Sequence, residues 1–446
     1  MSGKEKNIQE GNRDLFSSKL GFILACIGSA VGMGNVWLFP YRVGQLGGGA
    51  FLLPYIIFVV VLGYTGLIGE FAFGRMTQTG PIGSFEYAMK SKGKKGGTLL
   101  GIIPVIGAFG IATGYAVVVG WVMRFLFGAI SGSMFSAPDS AAYFGEIAGA
   151  FGSTIWHLAA MILTAIILIL GVSNGIEKVN KFMMPLFYVL FIIVLVKVLS
   201  LENAMEGVKY LFTPKWEFLS QPKTWVYALG QSFFSLSLAG SGMVVYGSYL
   251  KKDVDIPNSA KNTAFFDTLA AMLAALVVIP AVFAFGLDPQ SGPPLLFITL
   301  PAVFKEMAGG QLFAVLFFIS LIFAAITSLM NLLEVPIEAL QNRMKLKRNT
   351  AVIVVCAASF VIGLFLEDGN LLSAWMDCVS IYIMPVGALI ASIMFFWVIG
   401  SKIAKEQAEI GASKPLGAWF EPMAKYVFVI LTIAVVIGGI LYGGIG

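Results

Sequence analysis

One histidine, three cysteines and a charged fraction of only 12% in 446 residues exclude several kinds of chemistry at the outset. His157 has no metal-ligating neighbour at useful spacing along the chain. Cys26, Cys356 and Cys378 all fall inside apolar runs, where free thiols behave as small hydrophobes. A metal or thiol enzyme is disfavoured on that ground. No glycine-rich, lysine-bearing phosphate cradle is present either, so nothing points to direct use of ATP. The net charge of +5 needs no nucleic acid to explain it, because the basic residues sit in short polar segments between apolar ones. The start, Met1-Ser2-Gly3-Lys4-Glu5-Lys6, is polar and runs into a full-length apolar segment without a small-residue cleavage site, so no removable signal peptide is expected.

Hydrophobic residues, in contrast, make up 58% of the chain and the mean hydropathy is +0.87, more than a soluble core requires. The apolar runs reach the ~17–25 residues that cross a bilayer about 30 Å thick. Eleven spans are expected, at 19–42, 50–73, 101–128, 155–171, 182–200, 225–249, 264–286, 311–336, 351–366, 373–399 and 426–444. The fold class is an all-α polytopic membrane protein. With the N-terminus inside, 22 of the 29 Lys and Arg fall on cytoplasmic segments, as the positive-inside bias demands. An odd number of spans then leaves Gly446 outside, on the far face of the inner (plasma) membrane.

Two spans are interrupted halfway. Gly28-Ser29-Ala30-Val31-Gly32-Met33-Gly34-Asn35 breaks the first, and Ser235-Leu236-Ser237-Leu238-Ala239-Gly240-Ser241-Gly242 breaks the sixth. A helix that unwinds in hydrocarbon must give its freed backbone groups to protein, ions or a substrate. Carbonyls at a half-helix C-terminus suit a hard cation such as Na⁺, and amides at the opposing N-terminus suit a carboxylate. Close helix packing through the small residues Gly28 and Gly32 is the competing reading of the first break taken alone. The second break weighs against it. Four spans follow each broken one, so a five-span unit is used twice. Five is odd, and the two units are therefore inverted, with a site between spans 1 and 6. The expected division is 1–18 as a cytoplasmic segment, 19–200 and 225–400 as the two repeats, 201–224 as an extracellular loop, 401–425 as a cytoplasmic loop and 426–446 as span 11.

Polar groups inside spans are costly unless they face a partner or a cavity. Asp267, among Phe265, Phe266 and Leu269, is the clearest case for a bound cation. Thr327 and Ser328 offer adjacent hydroxyls, for which back-bonding to their own helix is the alternative. Glu70 is suited to accept hydrogen bonds from an unwound backbone. Tyr115 is either a packing tyrosine or a hydroxyl for a substrate carboxylate.

The run from Lys19 to Pro40, with Gly47-Gly-Gly-Ala-Phe51, closely resembles the first helix and following loop of the neurotransmitter:sodium symporters. Similarity extends through Gly69-Glu-Phe-Ala-Phe-Gly-Arg75, the second break, Tyr246-Gly-Ser-Tyr-Leu-Lys-Lys-Asp253, Thr299-Leu-Pro301 and Thr327-Ser328, and so covers nearly the whole chain. The resemblance implies a first Na⁺ site from the Ala30 carbonyl, Asn35, Ser235, Asp267 and the substrate carboxylate. It implies a second from the carbonyls of Gly28, Val31 and Ala324 with the hydroxyls of Thr327 and Ser328. The substrate carboxylate would meet Tyr115 and amides near Gly32 and Gly34; its ammonium would meet carbonyls around Ser29, Ala30, Phe234 and Ser237. Ile111, Phe234, Gly240, Ser328 and Leu332 would shape the side-chain pocket, with Phe234 as a lid and Glu70 and Gln231 in support.

Four positions depart from the family pattern. Asp267 stands where many relatives, including chloride-dependent ones, have asparagine, so its fixed charge is expected to replace chloride. At the outer gate Leu38 replaces an arginine, leaving Arg42 to pair with Asp377. At the inner gate Arg13, Phe16 and Tyr249 are expected, but the partner aspartate is Asn342, with Glu338 as a stand-in. Gly240 lies where a bacterial member with a leucine-sized pocket has phenylalanine, which leaves room for a larger side chain. The expected function is Na⁺-coupled import of a neutral, hydrophobic or aromatic L-amino acid by alternating access. No nucleic acid and no obligate protein partner is expected. Carriage of another zwitterion, such as a betaine or a β- or γ-amino acid, is the alternative, with an ion channel more remote.

Overall fold

The structure is a computed structural model that describes residues 14–238, 240–287 and 295–444. Among the described residues the helices form eleven spans: span 1 (Lys19–Ala30 with Gly34–Gln45), span 2 (Gly49–Thr77), span 3 (Gly97–Ser131), span 4 (Thr154–Ile169) and span 5 (Val172–Leu199). Span 6 (Pro222–Ser235 with Gly242–Ser248), span 7 (Ile256–Ala284), span 8 (Gly310–Arg343), span 9 (Arg348–Leu364), span 10 (Gly369–Glu409) and span 11 (Phe420–Tyr442) complete it. Among the described residues there is no strand, only an isolated bridge between Gly48 and Pro214.

The first break has a definite local cause. Span 1 begins on Ser18, whose hydroxyl accepts the Gly21 amide at 3.0 Å. It stops after Ala30, where Val31 turns extended (φ −71°, ψ 106°), and the chain resumes as helix from Gly34 at an angle of 51°. In span 6, Ser237 (φ +55°) and Ser241 (φ +54°) sit in the left-handed region between the two halves. That conformation is uncommon for residues with a Cβ and persists where surrounding contacts enforce it.

Close backbone contacts lock span 2 against the inner half of span 6. A Cβ on Gly74 would lie 1.9 Å from the Val244 carbonyl, and one on Gly247 would lie 2.6 Å from the Phe71 carbonyl. Only glycine at both positions permits this approach. It carries Glu70 under the unwound stretch, facing the amides of Met243 and Val244.

Short helices also fill the connections. Pro81–Ser91 lies between spans 2 and 3, Ser140–Ile147 between spans 3 and 4, and Ala204–Phe212 between spans 5 and 6. The expected loop at 401–425 begins as helix: after Gly400 (φ +112°), Ser401–Glu409 buries Ala404 and Ala408 one turn apart. Its polar sequence carries no long apolar run, yet the helix continues span 10 to Glu409. Span 7 likewise starts at Ile256, well before position 264, because Asp255 caps it by accepting the Asn258 amide at 2.9 Å.

Candidate functional site: a pocket between two broken helices

The breaks meet side by side. Ser237 Oγ donates to the Ser29 carbonyl at 2.9 Å, so each unwound segment satisfies part of the other. Ser29, Ala30, Gly32, Gly34, Ile111, Tyr115, Phe234, Ser235, Ser237, Gly240, Ser328 and Leu332 all line one cavity. Five more residues join them: Met33, Gly242, Asn331, Val335 and Met384, besides Asn35 from the expected ion site.

At one wall, Tyr115 Oη accepts the Met33 amide at 3.0 Å. A Cβ placed on Gly32 would come within 2.9 Å of that hydroxyl and 3.0 Å of Ser328 Oγ. Gly32 thus keeps clear a niche bounded by two hydroxyls at the N-terminal end of the half-helix starting at Gly34, whose positive dipole end suits an anionic group.

Next to this niche lies a fully buried carboxylate. Asn35 Nδ2 donates to Asp267 Oδ1 at 2.7 Å, and Ser235 Oγ donates to Oδ2 at 2.8 Å. Asn35 Oδ1 accepts the Gly32 amide at 3.0 Å. Among the described residues no Lys, Arg or His nitrogen stands within 4.0 Å of Asp267. A buried carboxylate stripped of countercharge is strongly disfavoured, and a hard cation among the surrounding oxygens removes the penalty. Gln231 supports the same region, its Nε2 donating to the Gly34 carbonyl at 3.2 Å.

The residues of the second expected ion site face each other across spans 1 and 8. A Cβ on Gly28 would lie 2.9 Å from Thr327 Cβ. Thr327 Oγ1 donates to the carbonyls of Phe323 (2.8 Å) and Ala324 (3.1 Å), which leaves its lone pairs available. Val31 and Ala324 are fully buried at the same seam.

The side-chain end of the pocket differs from expectation in one respect. Gly240 does omit a side chain, but Met384 of span 10 reaches into the space, its Cε 3.0 Å from where a Cβ would stand. Room for a larger substrate therefore depends on a flexible thioether rather than on a void. Asn331, 1% exposed, adds a carboxamide to an otherwise apolar wall.

The outer pair expected between Arg42 and Asp377 is not formed. Arg42 instead bonds Gln45 at 2.8 Å and lies 4.1 Å above the Tyr227 ring, while Asp377 is exposed with no cation within 4.0 Å among the described residues. The π-electron face offers the guanidinium an alternative to a carboxylate. The expected inner-gate residues are held by tertiary contacts. Phe16 packs edge-on against Tyr246 and Tyr249, and its amide donates to the Tyr249 carbonyl at 3.2 Å. Tyr249 Oη donates to Glu334 Oε1 at 2.7 Å, and Arg348 grips both Glu334 oxygens at 2.9 Å. Glu338 accepts hydrogen bonds from Thr79 and Asn342, each at 3.2 Å. Arg13 lies outside the described residues.

Glu334 and Arg348 were not among the expected gate residues. A carboxylate seven positions after Thr327 in an apolar helix was the available signal. His157 also has a partner that spacing hides: Glu367, 210 residues away, bonds its Nδ1 at 3.2 Å, both side chains being fully buried. No group of three His, Cys, Asp or Glu side chains poised for a metal ion occurs among the described residues.

The model of the sodium:neurotransmitter symporter family matches residues 13–137 and 145–442. The chain belongs to this family. It is 37% identical over 411 residues to the uncharacterised sodium-dependent transporter YhdH of Bacillus subtilis, covering 88% of each chain. It is 31% identical to the sodium-dependent neutral amino acid transporter B(0)AT2 of Pongo abelii, over 63% of this chain and 43% of that one. The crystal structure of MhsT in complex with L-phenylalanine superposes with a TM-score of 0.87 at 33% identity, covering 96% of this chain and 100% of that one. The symporter is thus a sodium-dependent, multi-span membrane transporter, with the discontinuous spans 1 and 6 of an inverted five-plus-five repeat.

Proposed function

We propose that this symporter couples inward Na⁺ movement to import of a neutral, hydrophobic or aromatic L-amino acid, without chloride. The observation that carries the reading is Asp267, fully buried, lacking a cationic partner and placed between the two breaks beside the niche under Tyr115. One Na⁺ would sit among Ala30, Asn35, Ser235 and Asp267, its shell completed by the substrate carboxylate. A second would sit among Gly28, Val31, Ala324, Thr327 and Ser328. Sharing an oxygen between ion and substrate makes each bind better in the presence of the other, which is a coupling free energy.

The apolar wall of Ile111, Leu332, Val335 and Met384 offers no charged group to an acidic or basic side chain. The phenylalanine held by MhsT and the neutral amino acids in the name of the B(0)AT2 relative support the same substrate class. The carboxylate of Asp267 supplies the negative charge that would otherwise call for an anion beside two cations. Its N-terminus would lie on the cytoplasmic side of the plasma membrane, a reading that the Lys and Arg bias of the expected inner loops supports.

Uptake of each of the twenty amino acids into proteoliposomes, driven by a Na⁺ gradient in chloride-free buffer, tests the reading. Accumulation of large neutral amino acids alone is expected. Accumulation with K⁺ in place of Na⁺, or only with chloride, contradicts it.

A further inference from the structure

No residue of span 5 belongs to either expected sodium shell, yet one of its side chains is aimed at the second. Asn180 is fully buried, and its Nδ2 donates to the Ile176 carbonyl at 2.8 Å one turn earlier. That bond fixes the orientation of the amide, because exchanging its oxygen and nitrogen would set two acceptors against each other. Oδ1 therefore faces span 1. It lies 1.9 Å from the point where a Cβ on Gly28 would stand, and Thr327 Cβ lies 2.9 Å from that same point. Among the described residues Oδ1 has no hydrogen-bond donor. Thr327 does not serve, since its hydroxyl proton goes to its own helix.

An orphaned, fully buried acceptor needs an explanation. Here it converges with the backbone of Gly28 and the Cβ of Thr327 at the seam of spans 1 and 8. We propose that Asn180 Oδ1 is a further oxygen ligand of the second Na⁺, so that this ion ties span 5 to spans 1 and 8. The inference rests on the two-sodium reading above. A neutral amide oxygen is a suitable donor for a hard monovalent cation and adds no charge to the site. It also assigns Gly28 a specific duty: any side chain there would displace the ligand.

Direct binding of radioactive Na⁺ to the purified full-length protein, without amino acid and again with a saturating one, tests the assignment. Two variants are compared with the wild type. Asn180→Leu fills similar volume without an oxygen donor; Asn180→Asp keeps the oxygens and adds charge. The half-saturating Na⁺ concentration is expected to rise about tenfold in the first, the scale of losing a group that holds a metal in place, and to fall in the second. If Asn180→Leu does not fold, the direction of the Asn180→Asp shift decides alone. Unchanged half-saturation in the folded variants, with a wild type that still binds Na⁺, overturns the assignment and leaves Oδ1 to a buried water. A wild type that binds no Na⁺ at all overturns the two-sodium reading and this inference with it.

Discussion

Asn35 and Asp267, 232 residues apart, are joined by a fully buried 2.7 Å hydrogen bond from the amide nitrogen to a carboxylate oxygen. The bond ties the first break to span 7, and Ser235 extends it to the second break. The carboxylate is left with neutral donors only, so its charge is available to balance a cation. Asp267→Asn, nearly isosteric, is expected to preserve the fold and to abolish Na⁺-driven uptake in chloride-free buffer. Partial recovery on adding chloride would be consistent. Full activity of Asp267→Asn without chloride would remove the charge-balance idea.

Gly32 and Tyr115 together define the anionic niche. Gly32→Ala would press a methyl to 2.9 Å from the Tyr115 hydroxyl, and a bound carboxylate would have nowhere to sit. Equilibrium binding of the amino acid is expected to be lost. Tyr115→Phe removes one hydrogen bond to a charged group, worth about 1.5–3 kcal/mol. That corresponds to roughly a tenfold to hundredfold weaker Kd. Binding by Tyr115→Phe within a factor of two of wild type would show that the hydroxyl only packs.

Met384 is expected to set the upper size of the substrate. Met384→Ala should improve the affinity for tryptophan relative to leucine, since each additional buried methylene is worth about 0.8 kcal/mol. Gly240→Ala, which sets a methyl 3.0 Å from the Met384 Cε, should shift the ratio the other way. Competition of both amino acids against a common radioligand measures it. Identical ratios in the two variants would place the substrate side chain elsewhere.

Glu86 of the Pro81–Ser91 helix, between spans 2 and 3, pairs with Lys90 at 2.5 Å and with Arg343 at the end of span 8. Hydrogen bonds from these two cations hold its carboxyl down at about 2. A depressed carboxyl stabilises the fold fully above the unfolded value of about 4.3, and that contribution disappears as pH falls through the folded value. The difference in thermal midpoint between wild type and Glu86→Gln is therefore expected to be constant near neutral pH and to shrink below about pH 4. A difference that grows on acidification contradicts the pairing.

Much of this arrangement was readable in the residues themselves, because glycine clusters inside apolar runs and a carboxylate such as Asp267 have few benign explanations in a bilayer. The eleven spans, both breaks and twelve of the residues that line the pocket follow from local pattern and the family motifs. Residues brought in by tertiary contact were not readable. Met384 and Asn331 look like ordinary members of their helices until the packing of spans 3, 6, 8 and 10 turns them inward. His157 and Glu367, and Tyr249 with Glu334 and Arg348, pair across distances that spacing cannot reveal. Arg42 shows the converse: one helical turn places it near the outer path, but the ring of Tyr227 supplies the partner expected in Asp377.

The most direct test of the account is equilibrium binding of large neutral amino acids to the purified protein in Na⁺, in K⁺ and in chloride-free Na⁺ salts. Tight, saturable binding in both Na⁺ buffers and none in K⁺ is the predicted result. Equal affinity in Na⁺ and K⁺ would contradict the claim that a cation at Asp267 and the substrate carboxylate complete each other's shells.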